Sequence, residues 1–162
     1  MKRSLILFLS ILTLASCSKS DPSPLETKSG FIINVKKNSK SSTGELVATN
    51  TNAAAIHIWK ADGKDLTIKG VTEAAKGNAY DNISKAFVVA DYTFVNTSAE
   101  TQAVDAGTYF VFVILDNNQA GGGNLAYSYT TFTVKEGEFV TATKIFASTT
   151  TPAAYQLWTK QD

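Results

Sequence analysis

Seven consecutive residues, Tyr109 to Leu115, are apolar at every position and are drawn from aromatic, β-branched and leucine side chains. Neither face of such a segment suits water, and turn or polar residues bound it closely on both sides. It is expected to form the central strand of a sheet whose two faces are both covered. The rest of the chain must then supply the strands beside it and the layers above and below it.

Other segments read as strands of a more ordinary kind. Phe31, Ile33 and Val35 alternate with Ile32, Asn34 and Lys36, the period of a half-buried strand. Asn38 to Gly44 is polar and reads as a loop. Ala54 to Lys60 sets Ile56 and Ile58 on one face and His57 and Trp59 on the other, and Ala61-Asp62-Gly63-Lys64 supplies a turn. Leu66 to Lys69 is expected to pair back, and Val71 to Ala79 fits either one helical turn or a loop around Gly77. Lys85 to Val95 carries Phe87, Val88, Val89, Tyr92, Phe94 and Val95 and reads as one strand. Past the polar, glycine-rich Asp116 to Asn124 come Leu125 to Val134, a turn at Lys135-Glu136-Gly137-Glu138, then Phe139 to Phe146, and last Ala154 to Thr159. About seven or eight short strands with little helix predict an all-β fold, a single antiparallel Greek-key β-sandwich.

The order Asp105-Ala106-Gly107-Thr108-Tyr109, an apolar strand, a loop, then Phe132-Thr133-Val134-Lys135-Glu136-Gly137-Glu138 and another strand resembles the closing half of transthyretin-like and carboxypeptidase-regulatory-like β-sandwich domains. Ala54 to Lys60 followed by Gly63 is similar to the early strand of those domains. The likeness spans residues 30 to 148 and implies a sandwich with a Val-x-x-Gly hairpin. Asp105, Gly107 and Tyr109 also have the spacing of the tyrosine corner of Ig-like sandwiches, in which a phenol hydroxyl bonds backbone just upstream.

Ahead of this body, Lys2 and Arg3 precede an apolar stretch from Leu5 to Ala15 that ends in Leu14-Ala15-Ser16-Cys17. A basic start, a short apolar run and small residues make a secretory signal, and about 20 apolar residues would be needed to span a bilayer. The tetrad resembles the lipobox of bacterial lipoproteins, which implies cleavage between Ser16 and Cys17 and lipid on the new N-terminal cysteine. The expected organisation is a signal peptide at 1–16, a lipidated cysteine and flexible tether at 17–29, and a β-sandwich at 30–162. The expected location is the cell envelope, lipid-anchored at the outer membrane on its periplasmic or outer side. Pro22 and Pro24 keep Ser18 to Ser29 from regular pairing, and twelve such residues reach at most about 40 Å.

Chemistry-bearing residues are few. The chain has 15 basic and 14 acidic residues, and losing Lys2 and Arg3 leaves 13 lysines, no arginine and a net charge of −1. That balance argues against nucleic acid, and the missing arginines argue against a phosphate grip. With Cys17 acylated, no thiol remains for a disulfide, a metal or a nucleophile. His57 is the only histidine and is expected to play a structural part. Asp116-Asn117-Asn118 lacks the acidic spacing of an EF-hand loop, and no local frame supports a serine triad. No catalytic residue, metal ligand or cofactor is assigned. Trp59, Tyr127, Tyr129 and Trp158 are the candidate contacts for a glycan or a partner protein, if they reach the surface. The leading reading is a non-catalytic envelope lipoprotein attached to the membrane through Cys17. A weak glycan-acting hydrolase using Asp91, Asp105 and Asp116, or a small fimbrial-type subunit, is the alternative.

Cys17→Ser is expected to release the protein from the membrane or leave an uncut precursor, read by fractionation and gel mobility. Normal processing with unchanged membrane retention would refute the lipobox.

Overall fold

A computed structural model describes residues 28–51, 54–115, 125–147, 153–158 and 160–161. The expected signal peptide, Cys17, most of the tether, and the segment 116–124 with Asp116 lie outside the described residues. In chain order the strands are β1 (Gly30–Lys40), β2 (Leu46–Asn50), β3 (Ala54–Lys60), β4 (Leu66–Thr67), β5 (Asn78–Asp81), β6 (Ala86–Val89), β7 (Tyr92–Thr97), β8 (Ala99–Ala103), β9 (Gly107–Leu115), β10 (Ala126–Val134), β11 (Phe139–Phe146), β12 (Ala154–Tyr155) and β13 (Lys160–Gln161). One short helix, α1 (Val71–Ala75), interrupts them. The described chain is therefore mostly β, as its β-branched and aromatic content predicts.

The strands form three open sheets. The first runs β13-β11-β1-β2, with β8 also on β1; the second runs β12-β10-β9-β3-β7; the third is β4-β5-β6. Within the second sheet β9 lies between β3 and β10, its register running from Lys60↔Tyr109 to Ala54↔Leu115 on one side. The all-apolar run is thus the central strand, and the period of two explains why both its faces need cover. Tyr109, Val111, Val113 and Leu115 join Phe31, Ile33, Val35, Ile56, Ile58, Phe132, Ala142 and Phe146 in one core shared with the first sheet. Phe110, Phe112 and Ile114 point the other way, into a smaller cluster with Trp59, Ala74 and Ala79 that is roofed by α1 and the third sheet.

Aromatic edges organise the shared core. The Phe31 ring meets Tyr92, Tyr109 and Phe132 edge-on at centroid separations of 6.1, 5.9 and 5.8 Å, the arrangement that ring quadrupoles favour. The Tyr109 hydroxyl donates to the Asp105 carbonyl at 2.9 Å, so the tyrosine corner expected from the spacing is present. Burial pushes that phenol up to about 12. Gly30 is needed where β1 enters the core, because a Cβ there would collide with the Phe139 ring and the Gln102 carbonyl. Ser29, the last residue of the expected tether, is already fastened to the body: Gly137 N–H donates to its hydroxyl at 2.9 Å.

Several expectations are corrected. The sheets are not wholly antiparallel, since β1 pairs β11 in parallel from Gly30↔Phe139 to Lys37↔Phe146, and β12 lies parallel to β10. Lys85 to Val95 is two strands in two sheets. Lys85 has a φ of 59°, and at the break Asp91 N–H donates to Ile58 O at 2.9 Å while Asp91 Oδ2 accepts from Lys60 N–H at 2.6 Å. Asn38 to Lys40 continues β1, since β2 pairs it from Lys36↔Asn50 to Lys40↔Leu46. Leu66 and Thr67 pair forward onto Asp81 and Tyr80. The turn at Lys135 to Glu138 is tight, with Glu138 N–H donating to Lys135 O at 3.1 Å, but it carries the chain from one sheet to another and makes no hairpin. The strand segments among the described residues outnumber the eight expected, because Lys85 to Val95 divides into β6 and β7 and because β2, β5, β8 and β13 lie outside the segments read as strands.

Tyr109→Ala should cost about 3 to 5 kcal/mol in chemical denaturation, the usual loss for a large buried aromatic. Tyr109→Phe should cost only about 1 kcal/mol, the net worth of the corner hydrogen bond. Equal losses from the two changes would contradict this division between packing and hydrogen bonding.

Candidate functional site

The outer face of the second sheet carries most of the residues singled out from the sequence. Pairing places His57 beside Phe112 and Trp59 beside Phe110, then Tyr129 beside Phe112 and Tyr127 beside Ile114. Strand period puts all of these side chains on one side, so the face is a continuous aromatic row. Its two ends differ in exposure.

At one end the row is roofed. Trp59 is 1 % exposed, and its indole N–H donates to the Val88 carbonyl at 3.0 Å. Among the four aromatic candidates it is thus a core residue, because the third sheet closes over it. His57 is buried too. Its Nε2 lies 3.2 Å from the Ala75 carbonyl, which only accepts, so Nε2 carries the proton. Nδ1 then accepts from the Thr93 hydroxyl at 3.0 Å. Burial pushes its pKa down, with the Ala75 bond opposing in part. A neutral imidazole with both nitrogens used ties β3 to the end of α1 and to β7. Gly77, at a φ of 85°, turns the chain back from that helix in a backbone region that side chains rarely adopt.

At the other end the row opens to solvent. Tyr127 and Tyr129 are half-buried, and β12 brings Tyr155 against both, at centroid separations of 5.7 and 4.9 Å. Tyr129 rests on Phe110 at 5.7 Å and Tyr127 on Phe112 at 5.9 Å. Tyr155 is 43 % exposed and Leu157 78 %. The three tyrosines form one surface, in which phenylalanines hold Tyr127 and Tyr129 from below and Tyr155 rests against both. Trp158 does not join them, since it packs against the shared core.

The C-terminal residues that deliver Tyr155 also bridge the two large sheets. Ala154 N–H donates to Leu125 O, and Gln156 N–H to Tyr127 O, both at 2.9 Å. The Gln156 amide then pairs with Ala147, accepting from its N–H and donating to its carbonyl, each at 2.8 Å. Lys144 Nζ donates to Leu157 O at 2.6 Å and lies 4.9 Å over the Phe146 ring. Lys144 is 2 % exposed, and burial pushes its amine down to about 8. Among the described residues no carboxylate pairs with it.

Two of the three carboxylates named from the sequence, Asp91 and Asp105, are among the described residues. Asp91 is spent on the Lys60 backbone, and Asp105 is a surface group 4.0 Å from Lys60 Nζ with its side chain 93 % exposed. Asp81 is buried, accepting from Asp65, Ile83 and Ser84 N–H at 3.0, 3.0 and 3.1 Å. Hydrogen bonds from Ser84 first, then Ile83, hold its carboxyl far below the usual carboxylate range. It shapes a turn. Among the described residues no group of three or more His, Cys, Asp or Glu is placed to hold a metal ion, and no helix is long and apolar enough to cross a membrane. A hollow of about 490 Å³ lies elsewhere, between Lys28, Ser29, Val104, Asp105 and Glu136. It has no aromatic lining.

Sequence reasoning found Tyr127 and Tyr129 by their period but missed Tyr155, which sits in a terminal stretch with no pattern around it. It also passed over Lys144. Ala142, Lys144 and Phe146 share one strand face, and a lysine inside an apolar stripe is a legible signal. No protein-family model, curated protein or solved structure matches the chain.

Lys144→Met should raise the melting temperature at pH 7 by roughly 2 to 4 °C, as for about 1 kcal/mol gained by removing a desolvated charge. The folded amine sits at about 8, below the ordinary lysine value of 10.5. The open chain therefore holds the proton more tightly, and the penalty is full below pH 8 and fades between 8 and 10.5. The advantage of the variant should narrow over that window. A constant difference would show that the charge is not the cause.

Proposed function

We propose that this chain is a bacterial envelope lipoprotein, anchored at the outer membrane by lipid on Cys17, whose body is a non-catalytic binding module. The body is read as a Greek-key β-sandwich of transthyretin-like type. Support for that architecture comes from the core shared between the two large sheets and from the tyrosine corner. Support for the anchor comes from the Leu14-Ala15-Ser16-Cys17 tetrad behind a short apolar run.

The observation that carries the binding role is the Tyr127, Tyr129 and Tyr155 surface. Tyrosines offer a flat apolar ring and a hydroxyl at little cost in side-chain entropy, which suits both pyranose rings and protein contacts. Here the rings are braced before any ligand arrives, so less ordering is needed on binding. The occupant is an envelope glycan or a partner protein.

The test is binding to an array of envelope glycans and to immobilised envelope proteins, with wild type compared to a Tyr129→Ala, Tyr155→Ala double variant. Wild type should bind in one of the two formats, and the variant should bind about tenfold or more weakly while keeping its β-sheet circular dichroism. Equal binding by the two proteins would remove the tyrosines from the role. No binding by wild type in either format would remove the role itself.

A further inference from the structure

We propose that Tyr129 and Tyr155 form an oxidative cross-linking site, at which a peroxidase-type one-electron oxidant joins the two rings and staples the C-terminal segment to β10. Their ring centroids lie 4.9 Å apart with planes inclined at 37°. Tyr155 also meets Tyr127, at 5.7 Å and 54°. The other three tyrosines of the chain are placed differently, since Tyr80 meets Phe87 while Tyr92 and Tyr109 meet Phe31. Phenylalanine has no phenol hydrogen to lose, so those contacts cannot couple.

The chemistry balances on two phenols and one peroxide. Each phenol gives up one electron and its hydroxyl proton, leaving a phenoxyl radical whose unpaired electron is shared with the ring carbons ortho to the oxygen. Two such carbons, one on each ring, form a new C–C bond, and the hydrogen on each then moves to its oxygen and restores the phenol. Hydrogen peroxide takes up the two electrons and two protons and leaves as two waters. In the product the ring centres stand two ring radii and one bond length apart, slightly less than the present 4.9 Å. Exposed side chains move on the picosecond to nanosecond scale, so this short approach is open to Tyr155, which is 43 % exposed. Tyr129 rests on Phe110 at 5.7 Å and offers a ring already held in place.

The consequence falls on a weakly held part of the fold. β12 contributes only two pairs, Ala126↔Ala154 and Tyr127↔Tyr155, and the N–H groups of Ala154 and Gln156 complete its hold on the β10 side. Segments with so few ladder bonds open at the low end of a protein's local stabilities. The chain has one cysteine, so no disulfide can close within it. A biaryl bond needs no thiol and ties residue 155 to residue 129 across the intervening chain, which restricts the open state as a disulfide does. The site rests on ring geometry and does not depend on the binding role proposed for the same tyrosines.

The test treats the full-length chain, dilute and in mild detergent, with a haem peroxidase and hydrogen peroxide. Dityrosine fluorescence, a monomer on a denaturing gel and an intact mass lower by two hydrogens are expected. Trypsin, cutting after lysine, should release residues 86–135 joined to residues 145–160, with fragmentation placing the bond between Tyr129 and Tyr155. Tyr129→Phe and Tyr155→Phe keep the ring and the fold, and each should remove most of the fluorescence, whereas Tyr127→Phe should retain it. In the linked protein, amide exchange at Ala154 and Gln156 should slow about tenfold or more, because local opening of the strand is restrained. A bond to Tyr127, a product found only between chains, a Tyr155→Phe yield equal to wild type, or exchange that is not slowed would each overturn the proposal.

Discussion

The fold depends on a sheet that has no wet face along its centre. β9 and β3 present Tyr109, Val111, Val113, Ile56 and Ile58 to one layer, and Phe110, Phe112, His57 and Trp59 to another. With no disulfide available to the body, burial on both sides of this sheet is the main source of cohesion. The first sheet closes one side. The excursion between β3 and β7, carrying α1 and the third sheet, closes part of the other.

Because that second cover is partial, the aromatic row divides into a structural end and an exposed end. Trp59 and His57 find backbone and hydroxyl partners beneath the roof, as buried polar groups must. Tyr127 and Tyr129 lie beyond it, and Tyr155 joins them only because the terminal residues run back along β10. An exposed aromatic surface of this kind needs no special loop. It is the part of a two-faced sheet that the roof leaves uncovered.

The terminal segment also shows how a small number of polar contacts fixes the position of a short strand. β12 and β13 contribute two pairs each to their sheets, too few to hold by ladder bonds alone. Gln156 and Lys144 supply the rest, one as a neutral amide pair and the other as a desolvated amine on a single carbonyl. The amide pair is inexpensive. The amine is held at an electrostatic cost, which its lowered pKa records.

Local pattern alone determined the bounds of β3, the central place of β9, the corner at Tyr109 and the turns at Gly63 and Gly137, because period, side-chain shape and turn chemistry act within a few residues. Composition by itself also establishes that the body carries one histidine and no arginine. The division of Lys85 to Val95 between two sheets, the parallel pairing of β1 with β11, and the meeting of Tyr155 with Tyr127 and Tyr129 were decided by tertiary structure. Each depends on groups far apart in the chain, such as Asp91 bonding Lys60 or Ala154 bonding Leu125, and no local period records which distant strand will satisfy a given edge.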